Sequence, residues 1–86
     1  MSYRIDWEQD ALSALDKLDP VIIDNILSKI EWLSTNFDVI KPEALKGRLR
    51  GYFKLRVGQY RVIYRVERQS RTIVIEDVGH RRYVYE

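Results

Sequence analysis

Two runs of strict apolar–polar alternation, joined by a glycine-led dipeptide, limit this chain more than any other feature. The runs are Phe53-Lys54-Leu55-Arg56-Val57 and Tyr60-Arg61-Val62-Ile63-Tyr64-Arg65-Val66, with Gly58-Gln59 between them. A period of two is the signature of a strand, because successive side chains leave opposite faces of the pleat. A two-residue connection with glycine first suits a type II′ hairpin turn. The pair therefore predicts an antiparallel hairpin with Val57 and Tyr60 flanking the turn. In that register Arg56 lies opposite Arg61 and Lys54 opposite Ile63, and Lys54, Arg56 and Arg61 share one face. Like charges placed directly across a sheet repel. A sequence that puts them there either leaves them in water or uses them to hold an anion.

The remaining elements are read around this hairpin. Tyr3-Arg4-Ile5 alternates as a short strand. Asp6 is a candidate helix cap, and Trp7, Ala11, Leu15 and Leu18 recur at helical spacing, with Glu8 and Asp10 in a first turn. Asp19-Pro20 restarts the chain as cap and first helical residue. Ile23, Ile26, Leu27, Ile30 and Leu33 then predict a helix from about Pro20 to about Ser34, ending near Thr35-Asn36. So short a connection between the helices predicts an antiparallel helical hairpin. Both tryptophans are read as packing residues. Phe37–Glu43 reads as a loop, and Gly47 and Gly51 mark tight backbone before the first long strand. Arg68–Arg71 is a turn. Thr72–Val78 opens almost entirely apolar, as a central strand buried on both faces does. The expected fold is α+β in a single domain, residues 1–86. A short N-terminal strand precedes a helical hairpin, which packs on one face of a three- to four-stranded antiparallel sheet and leaves the other face partly open and basic.

Charge divides along the same boundary. Residues 1–40 carry three Lys/Arg against eight Asp/Glu, a net of −5; residues 41–86 carry twelve against five, a net of +7. The basic half favours a polyanion such as nucleic acid, or an acidic protein partner. With no cysteine and one histidine, the usual zinc site and any disulfide framework are excluded. No run reaches the roughly 20 apolar residues of a membrane helix, and no secretory h-region opens the chain, so a cytoplasmic protein without membrane contact is expected. No glycine-rich loop precedes a helix, and no serine stands in a nucleophile elbow. Glu76 and Asp77, adjacent on a strand, are expected on opposite faces and so make a poor metal pair.

After Gly79 the chain adds His80, Arg81, Arg82, Tyr83 and Tyr85. Cations beside aromatic rings are what single-stranded RNA asks for, the cations for phosphates and the rings for bases.

The stretch Tyr52–Tyr64, the ending Val78-Gly79-His80-Arg81-Arg82 with Val84-Tyr85, and the leading Leu45-Lys46-Gly47 together resemble the RelE/ParE superfamily of toxins from type II toxin–antitoxin systems, and most closely its RelE-like mRNA interferases. The resemblance runs over essentially the whole chain. It implies a ribosome-dependent endoribonuclease that cuts mRNA in the ribosomal A site, uses no metal or small-molecule cofactor, and is neutralised by an antitoxin encoded by the adjacent gene. Carried over residue by residue, it implies Lys54, Arg61, Arg81 and Tyr85 as catalytic residues. Arg56, Arg48, Arg50, His80, Arg82 and Tyr83 are expected to bind RNA. Clustered cations would make Lys54 a usable base, and His80 is a candidate acid because imidazoles titrate near neutrality. The sequence ends one residue past Tyr85, where many RelE-like toxins continue into a C-terminal helix, and either Tyr83 or Tyr85 can fill the late tyrosine position. The rival within the superfamily is a ParE-like poison of DNA gyrase without nuclease activity, and beyond it a non-catalytic antitoxin-binding module. Fold and ending are shared by all of these; the Lys54/Arg56 pair beside Arg61 favours RNA cleavage.

Overall fold

In the computed structural model, which describes residues 2–80, a five-stranded sheet carries two helices on one face. The elements in chain order are β1 (Arg4–Trp7), α1 (Gln9–Asp16), α2 (Pro20–Asn36), β2 (Glu43–Ala44), β3 (Phe53–Val57), β4 (Tyr60–Glu67) and β5 (Thr72–His80). A 3-10 turn at Gly47–Leu49 lies between β2 and β3. The sheet order is β1-β5-β4-β3-β2.

The β3–β4 hairpin has the expected register, with Val57 opposite Tyr60, Arg56 opposite Arg61 and Lys54 opposite Ile63. Gly58 sits at φ +60°, while Gln59 is not among the residues with positive φ. That combination is the II′ turn rather than I′, which needs both central residues at positive φ. β5 is flanked by β4 and β1, and Thr72, Ile73, Val74 and Ile75 are all buried, as their unbroken apolar run predicts.

The expected sheet of three or four antiparallel strands is extended at both edges. β1 joins by parallel pairing with β5, Ile5 against Ile73 and Trp7 against Ile75. β2 adds two residues beside β3, Glu43 against Lys54 and Ala44 against Phe53. Trp7 therefore belongs to a strand and not to the first helical stripe. Glu8, not Asp6, caps α1, because the amide of Glu8 still donates to the Ile75 carbonyl at 3.0 Å and carries the chain along the sheet one residue longer. Leu18 falls past the end of α1 but still packs against the core. α2 ends at Asn36, where the sequence predicts it to end, and its N-cap Asp19 makes no side-chain capping bond.

The core lies between the helices and one sheet face. Ala11 and Leu15 of α1, with Ile26, Ile30 and Leu33 of α2, meet Leu55, Val62, Tyr64, Ile73, Ile75 and Val78. Tyr3 and Phe37 close one end, ring centroids 4.9 Å apart. Phe53 stacks on Tyr64 at 5.6 Å. Trp32 is only partly covered, 41% exposed, with the Lys29 ammonium 4.1 Å from its ring centre.

Candidate nucleic-acid interface

The face turned away from the helices is built by the even positions of β3 and the odd positions of β4. Across it run two rows set by strand register. Arg56, Arg61 and Gly79 form one, and Glu43, Lys54, Ile63 and Asp77 form the next. The predicted meeting of Lys54, Arg56 and Arg61 on one face is thus present. Arg61 is flanked on β5 by a residue without a side chain.

The three cations differ in surroundings. Lys54 is 9% exposed, an unusual burial for an ammonium, and its Nζ lies 3.3 Å from Glu43 Oε2. Arg56 is exposed and reaches the same oxygen at 3.5 Å. Arg61 is half-buried. Glu43 thus bridges two of the three. In the sequence it falls at the end of a loop, because the two-residue strand Glu43–Ala44 is too short for periodicity to register.

This face is less open than alternation alone suggests. Ile63, Val74 and Thr72 are buried on it. Arg65, which the pattern groups with Arg61, is held by three carboxylates. Its Nε donates to Glu76 Oε2 at 2.7 Å, and it also bonds Glu67 and pairs with Glu8 at 3.5 Å. The Glu67 and Glu76 carboxylates raise its pKa further above the ordinary guanidinium value. Arg65 is committed to joining β4, β5 and the start of α1. Glu76 shares its face, two residues on from Val74, which stands opposite Arg65; beyond it the sheet register shifts between Ile63 and Tyr64. Ile63 faces Asp77 and Tyr64 faces Ile75, leaving Glu76 as the extra residue of a bulge. The two acids therefore lie on the same face, where strict alternation had them opposed. Among the described residues, no acidic or histidine cluster is arranged to hold a metal ion.

The other predicted contacts divide. Arg48 and Arg50 are exposed on the loop closed by the bond from the Leu45 amide to the Tyr52 carbonyl, 3.0 Å. His80 lies opposite Tyr60, edge-on to its ring at 5.5 Å, and on the other face from Arg61. Arg81, Arg82, Tyr83 and Tyr85 lie outside the described residues. Two further arginines that composition counted as basic surface are used in packing. Arg71 pairs with Asp38 at 2.9 Å and stacks 4.3 Å over Tyr3, and Arg68 lies over Phe37.

This fold agrees with known proteins. The family model described as ParE toxin of type II toxin–antitoxin system, parDE, matches residues 5–85. The chain belongs to this family, and it is the toxin of a toxin–antitoxin system. Toxin RelG of Mycobacterium tuberculosis is 29% identical over 85 residues, which is 99% of this chain and 98% of that protein. A chain of the RelBE2 toxin–antitoxin complex of the same organism superposes with a TM-score of 0.84 at 30% identity, covering 94% of this chain and 93% of that one. The archaeal RelE–RelB complex from Pyrococcus horikoshii gives 0.73 at 29% identity, over 98% and 100%.

Proposed function

We propose that this toxin is an endoribonuclease that cuts ribosome-bound mRNA in the A site and so stops translation. The observation that carries the reading is the row register that sets Arg56 directly opposite Arg61 with Lys54 beside them, on a face not used by the helices. In the proposed reaction a ribose 2′-hydroxyl attacks the adjacent phosphorus, its proton passing to a base. The P–O5′ bond breaks, and the leaving oxygen takes up a proton. The products are a 2′,3′-cyclic phosphate and a 5′-hydroxyl, with no redox change.

The phosphorane formed on attack carries more negative charge than the diester it came from. Fixed cations therefore stabilise it more than the ground state, which is the condition for rate acceleration. Arg61 and Arg81 suit that role because a guanidinium fork matches two phosphate oxygens. Lys54 is assigned the exchange of protons with the reacting oxygens. Tyr85, or Tyr83, orients the base or the 2′-hydroxyl. Arg48, Arg50, Arg56 and Arg82 hold the flanking backbone, and His80 stands at the margin. An antitoxin neutralises the toxin; relatives of the same fold were solved as complexes with theirs.

Arg61→Ala and Arg81→Ala are expected to relieve growth arrest and to lower cleavage of ribosome-bound message by on the order of 10²–10³. Their circular dichroism and antitoxin binding should stay unchanged. Full toxicity in both variants would overturn the reading. The family model that matches is that of ParE toxins, which favours a second reading, a gyrase poison without nuclease activity. Loss of plasmid supercoiling with intact message on expression would establish that reading instead.

A further inference from the structure

The Glu43 carboxylate is the feature of this face that the reaction does not use. It lies 3.3 Å from Lys54 Nζ and 3.5 Å from the Arg56 guanidinium, within the cation set assigned to the RNA backbone. An anion seated between an ammonium and a guanidinium occupies the position that the same two groups offer a phosphate. The two sides of the contact differ in freedom. Lys54 is 9% exposed and rises from the middle of β3, paired across to Ile63. Glu43 is 48% exposed and stands on a strand of two residues at the sheet edge. Glu43 is thus the partner that can swing into water while Lys54 stays.

We infer that Glu43 is a built-in competitor for the RNA backbone: its carboxylate holds the phosphate position between Lys54 and Arg56, and RNA binds by displacing it. This rests on the ribonuclease reading and adds to it a residue that sets substrate affinity. The exchange of one anion for another returns little free energy. Free message is therefore bound weakly, and cutting is confined to RNA that another body holds in place. The carboxylate also offsets the charge of a buried ammonium while no substrate is present.

The test uses a short single-stranded RNA whose 2′-hydroxyls are methylated, so that it binds without being cut. Its Kd is measured at one fixed salt concentration for the wild type, Glu43→Gln and Asp16→Asn. Asp16 is exposed at the end of α1, in the helical layer, and its variant removes the same charge from elsewhere. Glu43→Gln should tighten binding about tenfold, a step of about 1.4 kcal/mol. Asp16→Asn should change it less than twofold. Equal gains in the two variants would reduce the effect to net charge and overturn the inference. Weaker binding by Glu43→Gln would make Glu43 a support for Lys54 and overturn it equally. Cleavage of programmed ribosomes by the wild type is measured alongside. If the wild type neither binds nor cuts RNA, the ribonuclease reading falls and takes this inference with it. If it cuts and only the Glu43→Gln gain is missing, the inference falls alone.

Discussion

Tyr64 shows how one side chain can carry a measurable signature of the fold. It is 1% exposed, stacked on Phe53 and edge-on to Phe37, and burial pushes its hydroxyl up to about 12 from an ordinary value of 10. A raised folded pKa means stability that is fully present below the unfolded value and is lost as pH rises toward the folded one. Between pH about 10 and about 12 the unfolded chain ionises this phenol and the folded chain does not. The urea midpoint should therefore fall across that window, by up to about 3 kcal/mol in stability. Tyr64→Phe should flatten that slope; an unchanged alkaline limb would contradict the assignment. Asp38 has the opposite sign. The hydrogen bond from Arg71 holds its carboxyl below the usual range, so its contribution is present above the unfolded pKa near 4 and lost on acidification. Because that pair is exposed, Asp38→Asn should alter only the acid limb, and only slightly.

At the scale of elements, the β3–β4 hairpin is the best test of how far local chemistry fixes geometry. Gly58 at φ +60° has nothing within 4 Å of where a Cβ would stand. Gly58→Ala should therefore cost only the conformational penalty of a left-handed residue, about 1–2 kcal/mol. A loss well above that, read from the shift in thermal midpoint, would mean that the turn also makes contacts. This hairpin, α2 and β5 were legible in the sequence because each carries its own periodicity or turn signal over five residues or more. β2 was not, since two residues have no period. The end of β1 was misread because Trp7 fits a helical stripe and a strand equally well, and the parallel bond network to Ile75 decided between them. The candidate site was legible to the same degree. Lys54, Arg56 and Arg61 follow from alternation, whereas Glu43 depends on a long-range pairing. Alternation puts Arg65 on the face of Arg61, because it reports the face of a side chain and not the partner it has already taken. The bulge at Glu76 that puts Asp77 on the same face leaves no mark in a pattern of period two.

At the scale of the molecule, the sheet ties β1, near the start of the chain, to β5, its last described strand. β1 is an edge strand that covers β5, whose Thr72–Ile75 segment is buried throughout. Just ahead of it, the Tyr3 amide donates to the Ser34 carbonyl at 3.1 Å and the Ser34 hydroxyl donates back to the Tyr3 carbonyl, fastening the end of α2 to the sheet. A chain beginning at Glu8 would lose the buried Tyr3 ring, with its Phe37 and Arg71 contacts, and would expose the edge of β5. Losing a buried aromatic alone costs about 3–5 kcal/mol. A domain of this length has about 4–13 kcal/mol in total. The truncated chain should therefore lack a cooperative urea transition. Its bared, apolar β5 edge should also drive it into the void volume on size exclusion, because an open flat edge templates strand addition. A monomer with an unaltered midpoint would show that helices and hairpin suffice, and that β1 is an ornament on a fold completed without it. A single substitution separates the two causes: Tyr3→Ala keeps the strand and removes the ring. If packing dominates, Tyr3→Ala should lower the urea midpoint sharply or abolish the cooperative transition while remaining monomeric. If edge protection dominates, it should stay close to the wild type, and only the truncated chain should aggregate.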